Sequence, residues 1–344
     1  MRYFEGPLPK SFKLSGVKEL LIIALAPDTQ ESHSNLRIIL EHIRPLFNYK
    51  LSISADLKMI LLLLGKQGGQ CKHSCILCPD SKPWVKEGAE LLTIRYLREQ
   101  NRLFKEAVRG KPMDYGNVIN KPLIPLPDET VISQVVNPPE LHMQSGACVK
   151  VATYIEQQVD KVLVDQEGKG RGKQWLGEFL REHQIIRDYQ DKFEGNQARL
   201  FVQKIALMRP KAIKELPTET AAVVEQAISV LEALDVVVSS CFGVHVQGDW
   251  AGAIEKFSEL YFALPGISCP PKVHLLVHHV KEFLTERHST GYPGAGLGFW
   301  SEQAMEACHH AFMQEWMLKN VRPENENYSQ ALFQAVVRFN GKNL

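Results

Sequence analysis

Long hydrophobic runs are missing from this sequence. Stretches such as Leu20–Ala26 and Met59–Leu64 fall far short of the roughly 20 apolar residues of a membrane-spanning helix. The amino terminus, Met1-Arg-Tyr-Phe-Glu-Gly-Pro7, lacks the apolar segment of a signal peptide. Neither a membrane nor a secretory route is expected. Charge of one sign is also missing. With 40 Lys and Arg against 39 Asp and Glu, the net charge is +1, so no global field draws the chain to nucleic acid and any basic surface must be local. No internal repeat or low-complexity tract is present. A phosphate-binding P-loop is excluded as well. Gly65-Lys-Gln-Gly-Gly-Gln-Cys71-Lys72 has glycines but not the Gly-Lys-Ser/Thr ending.

What is present is a set of metal-ligand residue types at two distant places. Cys71-Lys-His73-Ser-Cys75-Ile-Leu-Cys78 contains a CxxC, whose two thiolates converge on one tetrahedral ion. The seven cysteines, an odd number, read as reduced thiols and metal ligands in the cytosol or nucleus. Nearly 200 residues later comes Cys269-Pro-Pro-Lys-Val-His274-Leu-Leu-Val-His278-His279. His274 and His278, four apart, share a helix face. His274 and His279 converge at a helix end. Local ligands (Cys71 or His73) compete with the distant histidines, and a free CxxC beside core histidines is the ordinary structural alternative. We favour Cys75, Cys78, His274 and His279, with His278 open as the alternative to His279. A closed four-ligand site of this kind holds structural Zn²⁺ and leaves no open position for catalysis.

Hydrophobic periodicity divides the chain. Glu19–Ala26 and Tyr49–Ser54 read as strands, the second with period-two alternation. Asn35–Phe47 and Leu57–Leu64 read as helices, with Ser32 or Ser34 as a cap for the first. Asp56 then lies at a strand end, where α/β sheets carry chemistry. Helices are expected over 87–110, 141–160, 175–208 with a break near Gly195, 218–238, 249–264, 270–284, 300–318 and 328–339, with an irregular Pro- and Asn-rich stretch at 111–139. The fold class is therefore α+β and mostly helical. Arg95, Arg98, Arg102, Lys105 and Arg109 form a stripe, and Lys169, Arg171 and Lys173 lie in a Gly-Lys loop. Such stripes are ordinarily solvated faces; the functional reading is phosphate contact. Glu302 and Glu306 are four apart on one helix face, where ordinary surface residues also sit.

The order of these parts resembles the catalytic core of the V(D)J recombinase catalytic subunit and the Transib transposases. Asp56 before Cys75-Ile-Leu-Cys78 looks like that family's second catalytic aspartate before its zinc cysteines. Leu141-His142 looks like a Leu-His motif whose histidine lies near the active site. Gly195-Asn-Gln-Ala-Arg199 resembles a Gly-Asn-x-Ala-Arg motif. Ser301-Glu302-Gln-Ala-Met-Glu306-Ala resembles the helix of the last catalytic acid, with Glu306 preferred over Glu302. The resemblance implies a partial RNase H-like α/β core at 15–66, an all-helical zinc-containing insertion at 67–290 and closing helices at 291–344. It implies a DDE recombinase or transposase, with Asp56 and Glu306 binding Mg²⁺ or Mn²⁺ and His142 at the scissile phosphate. It also implies DNA as partner, with Arg95, Arg98, Arg102, Lys169, Arg171, Lys173 and Arg199 as contacts, and a homodimer in the nucleus.

The family's first acid lies on a strand upstream of this chain. Asp28 cannot replace it, since two strand spacings are about 10 Å. DNA binding with lost or incomplete strand cleavage and transfer is therefore expected. The alternatives are a co-opted zinc-containing interaction module with no nucleic-acid role, and an intact transposase whose N-terminal part is missing from this sequence.

Overall fold

A computed structural model describes residues 30–48, 52–68, 71–81, 90–301, 303–319, 321–322 and 324–343. Side chains of residues 303–306 and 343 lie outside this description, as does the expected strand at Glu19–Ala26.

The described residues are mostly helical. Helix α1 spans His33–His42, α2 Leu57–Leu63 and α3 Ile94–Glu106. Then follow α4 at Glu140–Asp160, α5 at Gly172–Glu182, α6 at Gly195–Lys204 and α7 at Arg209–Glu215. The long α8 spans Thr218–Cys241 and α9 Trp250–Ala263. Helix α10 spans Pro271–His274, α11 Val280–Ser289, α12 Gln303–Met317 and α13 Tyr328–Asn343.

Local chemistry sets these boundaries. Ser32 caps α1 by accepting from the Asn35 amide, Thr93 caps α3 through the Tyr96 amide and Asp249 caps α9 through the Gly252 amide. Each satisfies an orphan donor of the first turn, worth about 1 kcal/mol. Helix α4 starts immediately after Pro138-Pro139, since proline removes the amide that a preceding turn would need. Its buried Met143, Ala147, Val151 and Ile155 recur every four residues, a stripe that faces α8. Helices α4 and α8 form the centre: α5, α6 and α10 pack on α4, and α6, α7 and α9 pack on α8.

The expected strand at Tyr49–Ser54 contributes little among the described residues. Residues 49–51 lie outside them, and Ile53 makes an isolated parallel bridge to Val136. The Ile53 amide donates to the Val135 carbonyl at 2.7 Å and the Asn137 amide to the Ile53 carbonyl at 2.9 Å. Pro138 follows, has no amide, and stops the ladder. Beyond isolated bridges, the described residues form no strand.

One contiguous buried core runs from Leu57 to Trp300. Helices α12 and α13 pair with each other around a small second core of Cys308, Phe312, Leu332, Ala335 and Phe339.

Candidate metal centre

The cysteine loop is fixed from several sides. Gly65 has φ +72, and a Cβ there would lie 2.1 Å from the Asn120 carbonyl oxygen. Only glycine allows this approach. The Asn120 and Ile119 amides donate to the Gly65 carbonyl, and Asn117 accepts from the His73 amide at 2.8 Å. Lys66 is buried and donates its Nζ to the Cys75 carbonyl at 2.7 Å. Burial pushes its pKa down, while the nearby thiols push it up. The glycines therefore serve the loop that presents the thiols.

The histidine half comes from a helix with a defect. Residues Leu275–His279, between α10 and α11, form a π-helical turn. In a regular α-helix, residues five apart point well away from each other. A π-turn fits one extra residue into the turn, which brings His274 and His279 to one side. The sequence reading placed this convergence at a helix end; the structure places it within a continuous helical segment from Pro271 to Ser289.

The two halves meet. Cys75 Sγ lies 3.5 Å from His279 Nε2, Cys78 Sγ lies 3.3 Å from His274 Nε2, and the two Nε2 atoms are 3.2 Å apart. All four ligand atoms lie within 4.8 Å of one another, and all four residues are buried. A tetrahedral ion with Zn–S of about 2.3 Å and Zn–N of about 2.0 Å has ligand–ligand edges of about 3.3–3.8 Å. The three measured edges match that scale. The donor set, the edges and the burial fit a metal ion.

Supporting contacts point the same way. The Leu77 amide donates to Cys75 Sγ at 3.3 Å. Glu282 Oε2 lies 3.6 Å from His279 Nδ1, an outer carboxylate that orients the ring so that Nε2 faces the thiols. Burial opposes a Cys75 thiolate, but a hydrogen bond from Cys78 and the charge on His279 hold its pKa well below the usual thiol range. Cys78 keeps its proton, held up by the hydrogen bond to Cys75 and by burial. Burial pushes His279 down, yet Cys75 and Glu282 raise it to about 9. His278 stands outside the cluster. Burial and the charges of His274 and His279 lower its pKa to about 4, and its ring lies beside Phe262 at 6.2 Å.

The second predicted group is only partly described. Asp56 caps α2, its Oδ1 accepting from the Met59 amide at 2.7 Å. Two hydrogen bonds draw distant segments towards it. Ser54 donates to the Trp300 carbonyl, and Ser301 donates to Glu140 at the start of α4. Asn137 ties Ser52 and Ser54 together, and the buried Arg287 guanidinium donates to Asn137 and to the Ser133 and Gln134 carbonyls. Asp56, His142 and the start of α12 thus converge on one seam. Glu302 lies outside the described residues; Glu306 lies on α12, with its side chain outside them.

Sequence reasoning missed two groups here. The charges of Lys272, Asp56 and Lys192 all act on the His142 ring, whose pKa is lowered first by burial and then by Lys272. Lys272 lies two residues before a metal-ligand histidine, and Gly146, an isolated glycine inside a helical pattern, was the available signal of a close neighbour.

The predicted DNA contacts carry partners of their own. Arg95 pairs with Glu129 at 2.5 Å, Arg98 with Asp128, and Arg102 with Glu99 and Glu106, both at 2.6 Å. Lys169 pairs with Glu167, and Arg171 donates to Gln174 at 3.2 Å. Lys173 pairs with Asp191 at 2.6 Å, which joins its loop to the turn at 188–192. The charge of Arg199 lowers the Asp235 pKa against the larger effect of burial.

A family described as a domain of unknown function (DUF8703) matches residues 13–87. That segment contains Asp56, Cys75 and Cys78. No curated protein matches the chain.

Proposed function

We propose that this chain is a DNA-binding protein on a recombinase-like core, braced by a structural zinc ion at Cys75, Cys78, His274 and His279. One observation carries the DNA reading: the seam in which Ser54 meets Trp300 and Ser301 meets Glu140. It gathers Asp56, His142 and the start of α12 from segments far apart in the chain, as the resemblance requires. The zinc reading is supported by the four-donor set and its tetrahedral edges. Bound there, the ion supplies a cross-link and no open coordination position.

Among the described residues, Asp56 is the acid whose charge acts on His142 and Lys272. A two-metal phosphoryl-transfer centre needs several carboxylates around its ions. Binding without strand cleavage is therefore the activity we assign. Fluorescence anisotropy with a labelled duplex tests it. We expect binding that weakens linearly in log Kd against log salt, and no nicking with Mn²⁺. Absence of binding at low salt overturns the reading. Nicking that Asp56→Asn removes would instead indicate an intact nuclease.

A second reading, a zinc-braced protein-interaction module, is favoured by the arginines of α3. Arg95, Arg98 and Arg102 each face a carboxylate, and a compensated face attracts phosphate weakly. Unchanged DNA affinity on removal of the α3 arginines, together with no salt dependence, would select this reading.

A further inference from the structure

We propose that Lys192, Lys272 and His142 form a subsite for phosphoryl oxygens beside Asp56. The ligand class, a phosphodiester, rests on the DNA-binding reading; the anion site itself stands on geometry.

The lysine at 272 is held in place by shape. A Cβ at Gly146, one turn after His142 on α4, would lie 2.4 Å from Lys272 Cδ and 2.7 Å from its Cβ. The aliphatic stem of Lys272 therefore crosses α4 where the helix has no side chain. Lys272 is half-buried and makes no ion pair among the described residues. Lys192 reaches the same place from the turn before α6. The Asp188 carboxylate accepts from the Gln190 and Lys192 amides and closes that turn. The Lys192 ammonium meets the Gln190 amide oxygen, a neutral partner. Both lysines act on His142. His142 Nε2 is itself buried with no hydrogen-bond partner among the described residues.

The balance of charge points outward. Two lysines meet one carboxylate, Asp56, whose Oδ1 is already committed to the α2 cap. Like charges brought together where solvent is partly excluded repel, and a bound anion relieves that repulsion. Ammonium groups and a ring N–H are donors without acceptor capacity. Phosphoryl oxygens are acceptors without donors, and charge-assisted bonds to them are the strong class. A carboxylate would satisfy one donor pair; three converging donors suit a three-oxygen face better.

The test uses the full chain with inorganic phosphate, followed by the imidazole NMR signals of His142. We expect a saturable shift that weakens by about tenfold or more in a Lys192→Gln, Lys272→Met double variant, as loss of charge-assisted bonds requires. Gly146→Ala, which keeps every charge but displaces the Lys272 stem, should weaken it as well. No saturable shift in the wild type, or an equal shift in the double variant, overturns the subsite. A labelled duplex separates the two ideas. Its salt slope should fall by about 1.8 in the double variant, about 0.9 for each lost phosphate contact. An unchanged slope with intact DNA binding overturns the subsite and leaves the DNA reading standing. A phosphate shift without DNA binding overturns the DNA reading and leaves the anion site standing.

Discussion

The cysteine–histidine cluster and the arginine stripe of α3 both answer to patterns in the sequence, and the molecule treats them oppositely. Cys75 and Cys78 meet His274 and His279 across 196 to 204 residues, with all four side chains buried. The α3 arginines meet carboxylates at 99 and 106 on their own helix or at 128 and 129 nearby, in solvent. A thiol or imidazole pulled from water needs a partner, so distant complementary halves must find each other or the fold suffers. A solvated guanidinium has no such need, and the nearest carboxylate suffices. Residue types that are costly to bury therefore predict position better than those that are cheap to expose.

The largest effect that could break this comparison is loss of the metal. Structural zinc sites in small peptides bind with about 10–16 kcal/mol, and the ion here would close a loop of about 200 residues. Purified protein should carry one zinc per chain by elemental analysis. Chelation should lower the melting temperature by well over about 10 °C. A metal-free preparation with the same melting temperature would remove the brace. Cys75→Ser should abolish zinc retention; unchanged zinc content would remove the proposed ligand set.

A smaller effect sharpens the picture of the loop. Gly65→Ala places a Cβ against the Asn120 carbonyl at positive φ, a strain of about 1–3 kcal/mol visible in chemical denaturation. An unchanged unfolding midpoint would mean the loop is not fixed by that approach. Smaller again is the outer carboxylate. Glu282→Gln should weaken metal affinity by about 10–100-fold in a competition titration, since Glu282 orients His279; equal affinity would reduce Glu282 to a surface residue. Arg102→Ala should be the smallest. Its pairs with Glu99 and Glu106 are exposed, so the melting temperature should stay within error. A clear fall would erase the contrast drawn between the two regions.

Much of the fold is legible from periodicity, because long helices such as α4 and α8 repeat their apolar positions over many turns. The ligand set is legible because CxxC demands two further donors and the histidines are dense near residue 274. Three features are not. The π-turn at Leu275–His279 depends on packing rather than on any residue type in it. The strand at Tyr49–Ser54 has the right alternation, but pairing depends on a partner, and Val136 runs into Pro138. The lysine pair at 192 and 272 is invisible because neither residue is unusual alone; the space left by Gly146 makes Lys272 a neighbour of His142.

The distance along the chain between the two halves of the metal centre has a consequence for biosynthesis. At about 5–20 residues per second, Cys78 leaves the ribosome on the order of 10–40 s before His274. Through that interval the thiols have no imidazoles to complete the set, so the early segment waits, reduced and unligated, on a nascent chain. The last-made helices close the site, and assembly of this protein is gated by its own late translation.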